Sequence, residues 1–196
     1  MATTNKVKFG ICNCYFAVAT IATNGSATYA TPKALPGAVN LSLDAQGDMT
    51  PFYADNVTFY VDVENNGYSG SLELALIPDD FKKDVLGFKE DANGIMYEDA
   101  DAPAVHFALL FEFSGDKHKK RHIMYNCTAT RPAVGSTTKT NTAEPQTETI
   151  DVTAESIYNA DLQKNITKAS VTPTESIQYN AWLTTVYQPT GTAATT

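Results

Sequence analysis

Three histidines, three cysteines and a run of carboxylates are the side chains with which this 196-residue chain could do chemistry. His118 and His122 sit in what reads as a hairpin tip, where four residues of extended chain span about 13 Å, too far to share one ion; His106 lies apart from both. Cys12 and Cys14, two apart, would face one side of a strand and with Cys127 could make a thiolate site, but buried small residues account for them better. The odd cysteine count has no framework spacing, so free thiols are expected. Asp91, Asn93, Glu98, Asp99 and Asp101 surround an Asn93-Gly94 turn without the alternation of a calcium loop, and read as a solvated acidic hairpin. Phosphate loop, nucleophile elbow and dinucleotide fingerprint are all missing. No catalytic, cofactor-binding or metal-binding residue is expected, and the chain does not read as an enzyme. Five Asn-x-Ser/Thr sequons, at Asn24, Asn40, Asn56, Asn126 and Asn165, mean little without a secretory leader.

Charge narrows the remaining classes. The net charge of −8 would repel a phosphate backbone, which argues against a DNA-reading module. No apolar stretch is long enough to cross a bilayer, and the start, Met1-Ala2-Thr3-Thr4-Asn5-Lys6, lacks a signal peptide's apolar run. A soluble protein made in the cytoplasm, without a membrane partner, is therefore expected. Residues 40–104 hold 3 basic and 14 acidic side chains, whereas residues 116–139 hold 6 basic and 1 acidic. An acidic body with one basic projection is compatible with self-association between copies, although a solvated face is the usual explanation of such a pattern.

The elements that would carry these groups are mostly strands. Period-2 alternation marks strands over 57–64 and 71–76, read as a hairpin across Asn65-Asn66-Gly67 with Val57, Phe59, Val61, Val63, Leu72, Leu74 and Leu76 inward. A second pair, 105–113 and 122–128, frames the basic tip at 114–121. Further strands are read over 9–21, 39–43 and 147–153, and another over 179–187 around the lone tryptophan, Trp182. One short helix, about 78–87, has Pro78 at its start, acids in its first turn, Phe81 and Val85 four apart, and Gly87 as its stop. The fold class expected is all-β, a β-sandwich or open barrel with one flanking helix. The chain reads as a single domain, 1–196, with flexible arms or loops at 1–6, 44–56, 136–146 and 189–196.

Several long motifs in order carry a resemblance. Val39-Asn40-Leu41-Ser42-Leu43-Asp44-Ala45-Gln46-Gly47-Asp48-Met49-Thr50-Pro51-Phe52-Tyr53 is followed by Asn65-Asn66-Gly67-Tyr68-Ser69-Gly70-Ser71-Leu72-Glu73-Leu74. Phe81-Lys82-Lys83-Asp84-Val85-Leu86-Gly87, then Tyr125-Asn126-Cys127-Thr128-Ala129-Thr130-Arg131-Pro132, and Glu148-Thr149-Ile150 complete the set. Over about residues 6–155 the chain resembles the major tail proteins of siphophages, bacterial viruses with long non-contractile tails. The resemblance implies a tail tube subunit whose hexameric rings stack around a tape measure protein and meet tail terminator and distal tail proteins. It also implies a channel for DNA ejection, and assembly in the host cytoplasm into the virion tail. Nothing carries over for 89–103 or the C-terminal end. The competing reading is a β-sandwich adhesin or baseplate-type module that binds carbohydrate through exposed aromatic side chains.

Three surfaces are expected to serve assembly. Residues 44–56, with Gln46, Asp48, Pro51, Phe52 and Tyr53, read as a ring-stacking loop, the alternative being a turn packed on its own subunit. Asp62, Glu64 and Glu73 read as a channel-lining face, the alternative being the tube exterior. The tip residues Lys117, Lys119, Lys120 and Arg121 read as a contact for the acidic body of a neighbour. The chain ends and 136–146 are expected to become ordered only between subunits.

Overall fold

The computed structural model describes residues 9–116, 119–138, 145–173 and 176–191. The arm at 1–6, tip residues Lys117 and His118, most of the 136–146 segment and the last residues of the C-terminal tail lie outside them. Fifteen strands are described: β1 Ile11–Ile21, β2 Ala27–Tyr29, β3 Lys33–Ala34, β4 Ala38–Ala45, β5 Met49–Ala54, β6 Val57–Val63, β7 Tyr68–Leu74, β8 Phe88–Glu90, β9 Met96–Glu98, β10 Phe107–Phe113, β11 Arg121–Ala129, β12 Glu148–Glu155, β13 Ile157–Asn159, β14 Lys164–Ile166 and β15 Lys168–Val171. Two short helices, α1 Asp79–Asp84 and α2 Ser176–Ala181, complete the all-β fold.

The near-continuous apolar run of β10 is explained by its place in the sheet. Phe107, Leu109 and Phe111 enter one core and Ala108 and Leu110 a second, so both faces are buried and alternation is invisible in hydropathy. All sheet pairings are antiparallel, and the principal sheet runs β2-β1-β10-β11-β12-β7-β4. It forks at β11, whose first half (Arg121 to Met124) pairs β15 and whose second half (Asn126 to Ala129) pairs β12. β4 returns alongside β1, which curls the sheet into an open barrel around the first core. There α1 inserts Phe81, edge-on to Phe16 and Phe107 at 5.0 and 5.5 Å between ring centroids. Burying one such side chain contributes roughly 1.5–3 kcal/mol. Pro78 caps α1 in extended conformation, Asp79 and Asp80 occupy the first turn, and Gly87 leaves at φ +78°.

Four expectations are corrected. The 57–76 hairpin does not form: β6 pairs β5 across Asp55-Asn56, both at positive φ (52° and 61°), and β7 lies between β4 and β12. Two central residues that tolerate the left-handed region make the tighter, two-residue turn. The 44–56 segment is therefore not a loop but the end of β4 and the whole of β5. Leu76 is not inward; it follows the end of β7 and is 65% exposed. The expected strand over 179–187 is instead α2 and the turn after it, because Tyr179, Trp182, Leu183 and Val186 recur at helical spacing and meet the second core on one side.

Candidate assembly surfaces

β4 and β7 continue past their ladder into β5 and β6 as one bent arm. The Gln46 N–H donates to the Gly67 carbonyl at 2.9 Å, Asn66 N–H to Gln46 O at 2.9 Å and Glu64 N–H to Asp48 O at 3.1 Å, which ties the bend. Gly47, at φ +142°, is required there, since a Cβ would lie 2.0 Å from the Glu64 carbonyl oxygen. Beyond the bend the two strands pack on each other and are exposed on both faces. Met49, Pro51, Val61 and Val63 share one face by register, and Thr50, Phe52, Tyr60 and Asp62 the other. The parity inferred from sequence thus holds for Val61, Val63 and Asp62, but within this subunit the apolar row covers no core. Of the sixteen large apolar side chains exposed among the described residues, eight belong to β5 and β6, with Phe59 73% and Val63 66% exposed.

Gln46, Asp48, Pro51, Phe52 and Tyr53 all lie on this arm and are exposed. The arm carries Asp48, Asp55, Asp62 and Glu64 and no Lys or Arg. Asp62 and Glu64 are therefore separated from Glu73, which stands on β7 and accepts a hydrogen bond from Thr147 Oγ1 at 2.6 Å.

A second surface is legible only from the strand order. Leu41, Leu43, Leu72, Leu74, Ile150 and Val152 turn toward the first core, so the intervening residues of β4, β7 and β12 face away. Cross-strand register arranges them in three rows: Asn40, Glu73 and Thr149; Ser42, Ser71 and Asp151; Asp44, Ser69 and Thr153. All nine are polar and small or acidic, and none is basic. The second core, which covers the far side of β1, β10 and β11 with Ile157, Val171 and Trp182, does not extend over this patch. Sequence reasoning found only Glu73 of the nine. The alternation over 40–44, 69–73 and 149–153 was the available signal, but it could not show that the three segments are neighbours.

At the basic tip, Lys119 and Lys120 are exposed, their N–H groups donating to Asp116 O at 2.9 Å and Asp116 Oδ2 at 3.2 Å. Arg121 belongs to β11 and is engaged in its own subunit. Its Nε lies 3.3 Å from Glu112 Oε2, its Nη1 donates to Tyr179 O at 2.6 Å, and its guanidinium stacks 4.0 Å from the Tyr179 ring centroid. Glu112 Oε2 also accepts from Asn13 Nδ2 at 3.2 Å, so a buried carboxylate is doubly satisfied and α2 is pinned to β11. Removing one partner of such a buried pair costs about 3–5 kcal/mol.

The groups with chemical potential are otherwise in structural service. Cys14 and Cys127 are buried, which pushes each thiol up to about 12. Burial, then the Glu112 charge, also raises Cys12. A thiol reagent at pH 8 is expected to modify at most Cys12 in the native protein, and Cys14 and Cys127 only on unfolding, as mass spectrometry of the labelled chain would count; fast native labelling of Cys127 would contradict this. His106 Nδ1 is 2.7 Å from Asn126 Oδ1, and the His122 ring stacks on Phe111. Asp91 accepts from the Ile95 and Asn93 N–H groups, which holds its carboxyl below the usual range, and Glu98 and Asp99 pair with Arg131 and Lys89. These contacts build the β8–β9 hairpin. Among the described residues no cluster of His, Cys, Asp and Glu could hold a metal ion, and no helix is long and apolar enough to cross a membrane.

The family model described as phage tail tube protein matches residues 2–195. No curated protein matches the chain.

Proposed function

The chain belongs to the phage tail tube protein family, and on that premise we propose how its surfaces build a tube. It is a structural subunit of the virion tail, one that self-assembles and joins other tail components. In our reading one domain, 1–196, forms hexameric rings stacked around the tape measure protein, with tail terminator and distal tail proteins at the two ends, in a long non-contractile siphophage tail. Assembly takes place in the host cytoplasm, and the finished channel conducts DNA during ejection.

The exposed apolar arm of β5 and β6 carries this reading. A patch of this size left in water is the mark of an interface, and closing a ring also covers the free edge of β4, which would otherwise template uncontrolled pairing. The arm makes the contact between subunits, and the polar patch of β4, β7 and β12 lines the channel. Lys119 and Lys120, with Lys117, face the acidic body of a neighbour, so that assembly weakens in high salt. The chain ends and 136–146 add contacts once the ring exists. Negative-stain microscopy of the concentrated protein is expected to show rings or tubes. Monomers at every concentration would overturn the proposal.

The adhesin reading is less well supported, because the exposed aromatic side chains are gathered on a narrow arm rather than around one pocket.

A further inference from the structure

The fork at β11 leaves a gap in the barrel wall. β4 is the last strand of its branch, β15 the last of the other, and between them a cleft of about 400 Å³ opens onto the first core. Leu41 and Leu43 of β4 and Phe113 of β10 are only partly buried there, although all three pack against that core. The His122 ring, stacked on Phe111, forms another wall. Lys168 of β15 reaches across the rim, its Nζ 4.6 Å from the centroid of the Tyr68 ring.

We infer that this cleft is the receptor for the β5–β6 arm of a second copy, with the arm's apolar side chains against Leu41, Leu43 and Phe113 and its carboxylates toward Lys168. The inference rests on the reading of the arm as an assembly element and names its partner surface. Three observations carry it. The arm is acidic and apolar with no cation of its own, and the cleft combines the apolar side chains of Leu41, Leu43 and Phe113 with polar groups and a cationic rim at Lys168, so charge is complementary and part of the lining can take apolar side chains. The volume lies within the ~300–1,000 Å³ range of pockets that enclose a ligand, which gives room for aromatic side chains such as Phe52 or Phe59. The subunit's own arm starts beside the cleft, at Tyr68, yet stays exposed along its length, so its apolar surface is unspent. A projection and a differently shaped receptor on one molecule make a head-to-tail contact, which closes into rings or propagates as a filament.

The test uses three full-length variants. Leu43→Trp fills the cleft and Lys168→Glu reverses its rim; the third replaces residues 48–64 by Asn-Gly. Thermal melting and gel filtration first establish that the Leu43→Trp and Lys168→Glu monomers are folded, and Lys168→Glu, an exposed change, serves alone if the larger one does not fold. Each is expected to need about ten-fold or more protein than the wild type before sedimentable tubes appear. In parallel, Phe59→Cys and Leu43→Cys chains are mixed under mild oxidation, and covalent dimers are expected in the mixture beyond those in either chain alone. Wild-type polymerisation by the folded cleft variants, with the arm-replaced chain still inert, would mean that the arm docks elsewhere and would overturn this inference alone. Wild-type polymerisation by the arm-replaced chain would overturn the assembly role of the arm itself.

Discussion

Replacing residues 48–64 by an Asn-Gly turn is expected to yield a folded monomer whose thermal transition lies within a few degrees of the wild type's and no tubes at any concentration. The arm contributes almost nothing to the subunit's own cores, since none of its large side chains belongs to either. Gly47 and Asn65 already lie side by side at the bend, where a Cβ on Gly47 would meet the Asn65 Cα at 3.5 Å, so a two-residue turn can close the gap. Shortening the connection changes loop entropy by only about 1–2 kcal/mol. On the assembly side the loss is far larger. At roughly 1.5–3 kcal/mol for each fully buried side chain, eight of them supply on the order of 12–24 kcal/mol to set against an association cost of about 4–15 kcal/mol. Without them the balance turns unfavourable. A milder variant separates direction from presence: Gly47→Ala keeps every arm side chain but forces a Cβ against the Glu64 carbonyl. It is expected to fold and to polymerise more slowly than the wild type. Tubes of normal length from the arm-replaced protein, seen by negative stain, would refute the assignment.

The arm also shows where sequence reasoning reaches its limit. Alternation over 57–63 shows which side chains share a face, and for Val61, Val63 and Asp62 that was right. It cannot say whether the covering surface belongs to the same copy of the chain. The β10–β11 pair was legible because residues 107–111 are apolar throughout and a polar, basic tip follows a few residues later. The helix at α1 was legible because its start, first turn and stop each have their own chemistry. The wrong hairpin arose from two competing turn signals, Asn65-Asn66-Gly67 and Asp55-Asn56, between which local propensity cannot choose once the chain continues in register on both sides. The basic tip was read from charge alone, and charge does not reveal that Glu112, nine residues before Arg121, lies across the hairpin from it.

Changing Asp44, Glu73 and Asp151 together to Lys is expected to leave tube assembly intact while sharply slowing the passage of DNA. The three carboxylates lie in successive rows of the β4–β7–β12 patch, among Ser, Thr and Asn. Asp44 and Asp151 are exposed and Glu73 partly so, and none reaches a core, so the folded subunit should tolerate the exchange. On the proposed channel wall each acid is repeated around every ring. Short hydroxyl and amide side chains offer a phosphate no fixed cation, and the carboxylates repel it, so the polymer slides without a deep well. Lysine inverts this. Each Lys–phosphate contact releases condensed counterions and adds to a binding term that falls with log salt at about −0.9 per contact on duplex DNA. Slow ejection by the variant should therefore recover as salt rises, while the wild type is nearly indifferent to salt. Asp62→Lys on the arm is the control, because Asp62 lies outside the patch: it is expected to disturb assembly rather than ejection. Unchanged ejection kinetics in virions carrying the triple variant, or a tube structure with Glu73 and Asp151 on the outside, would show that this face is the exterior wall.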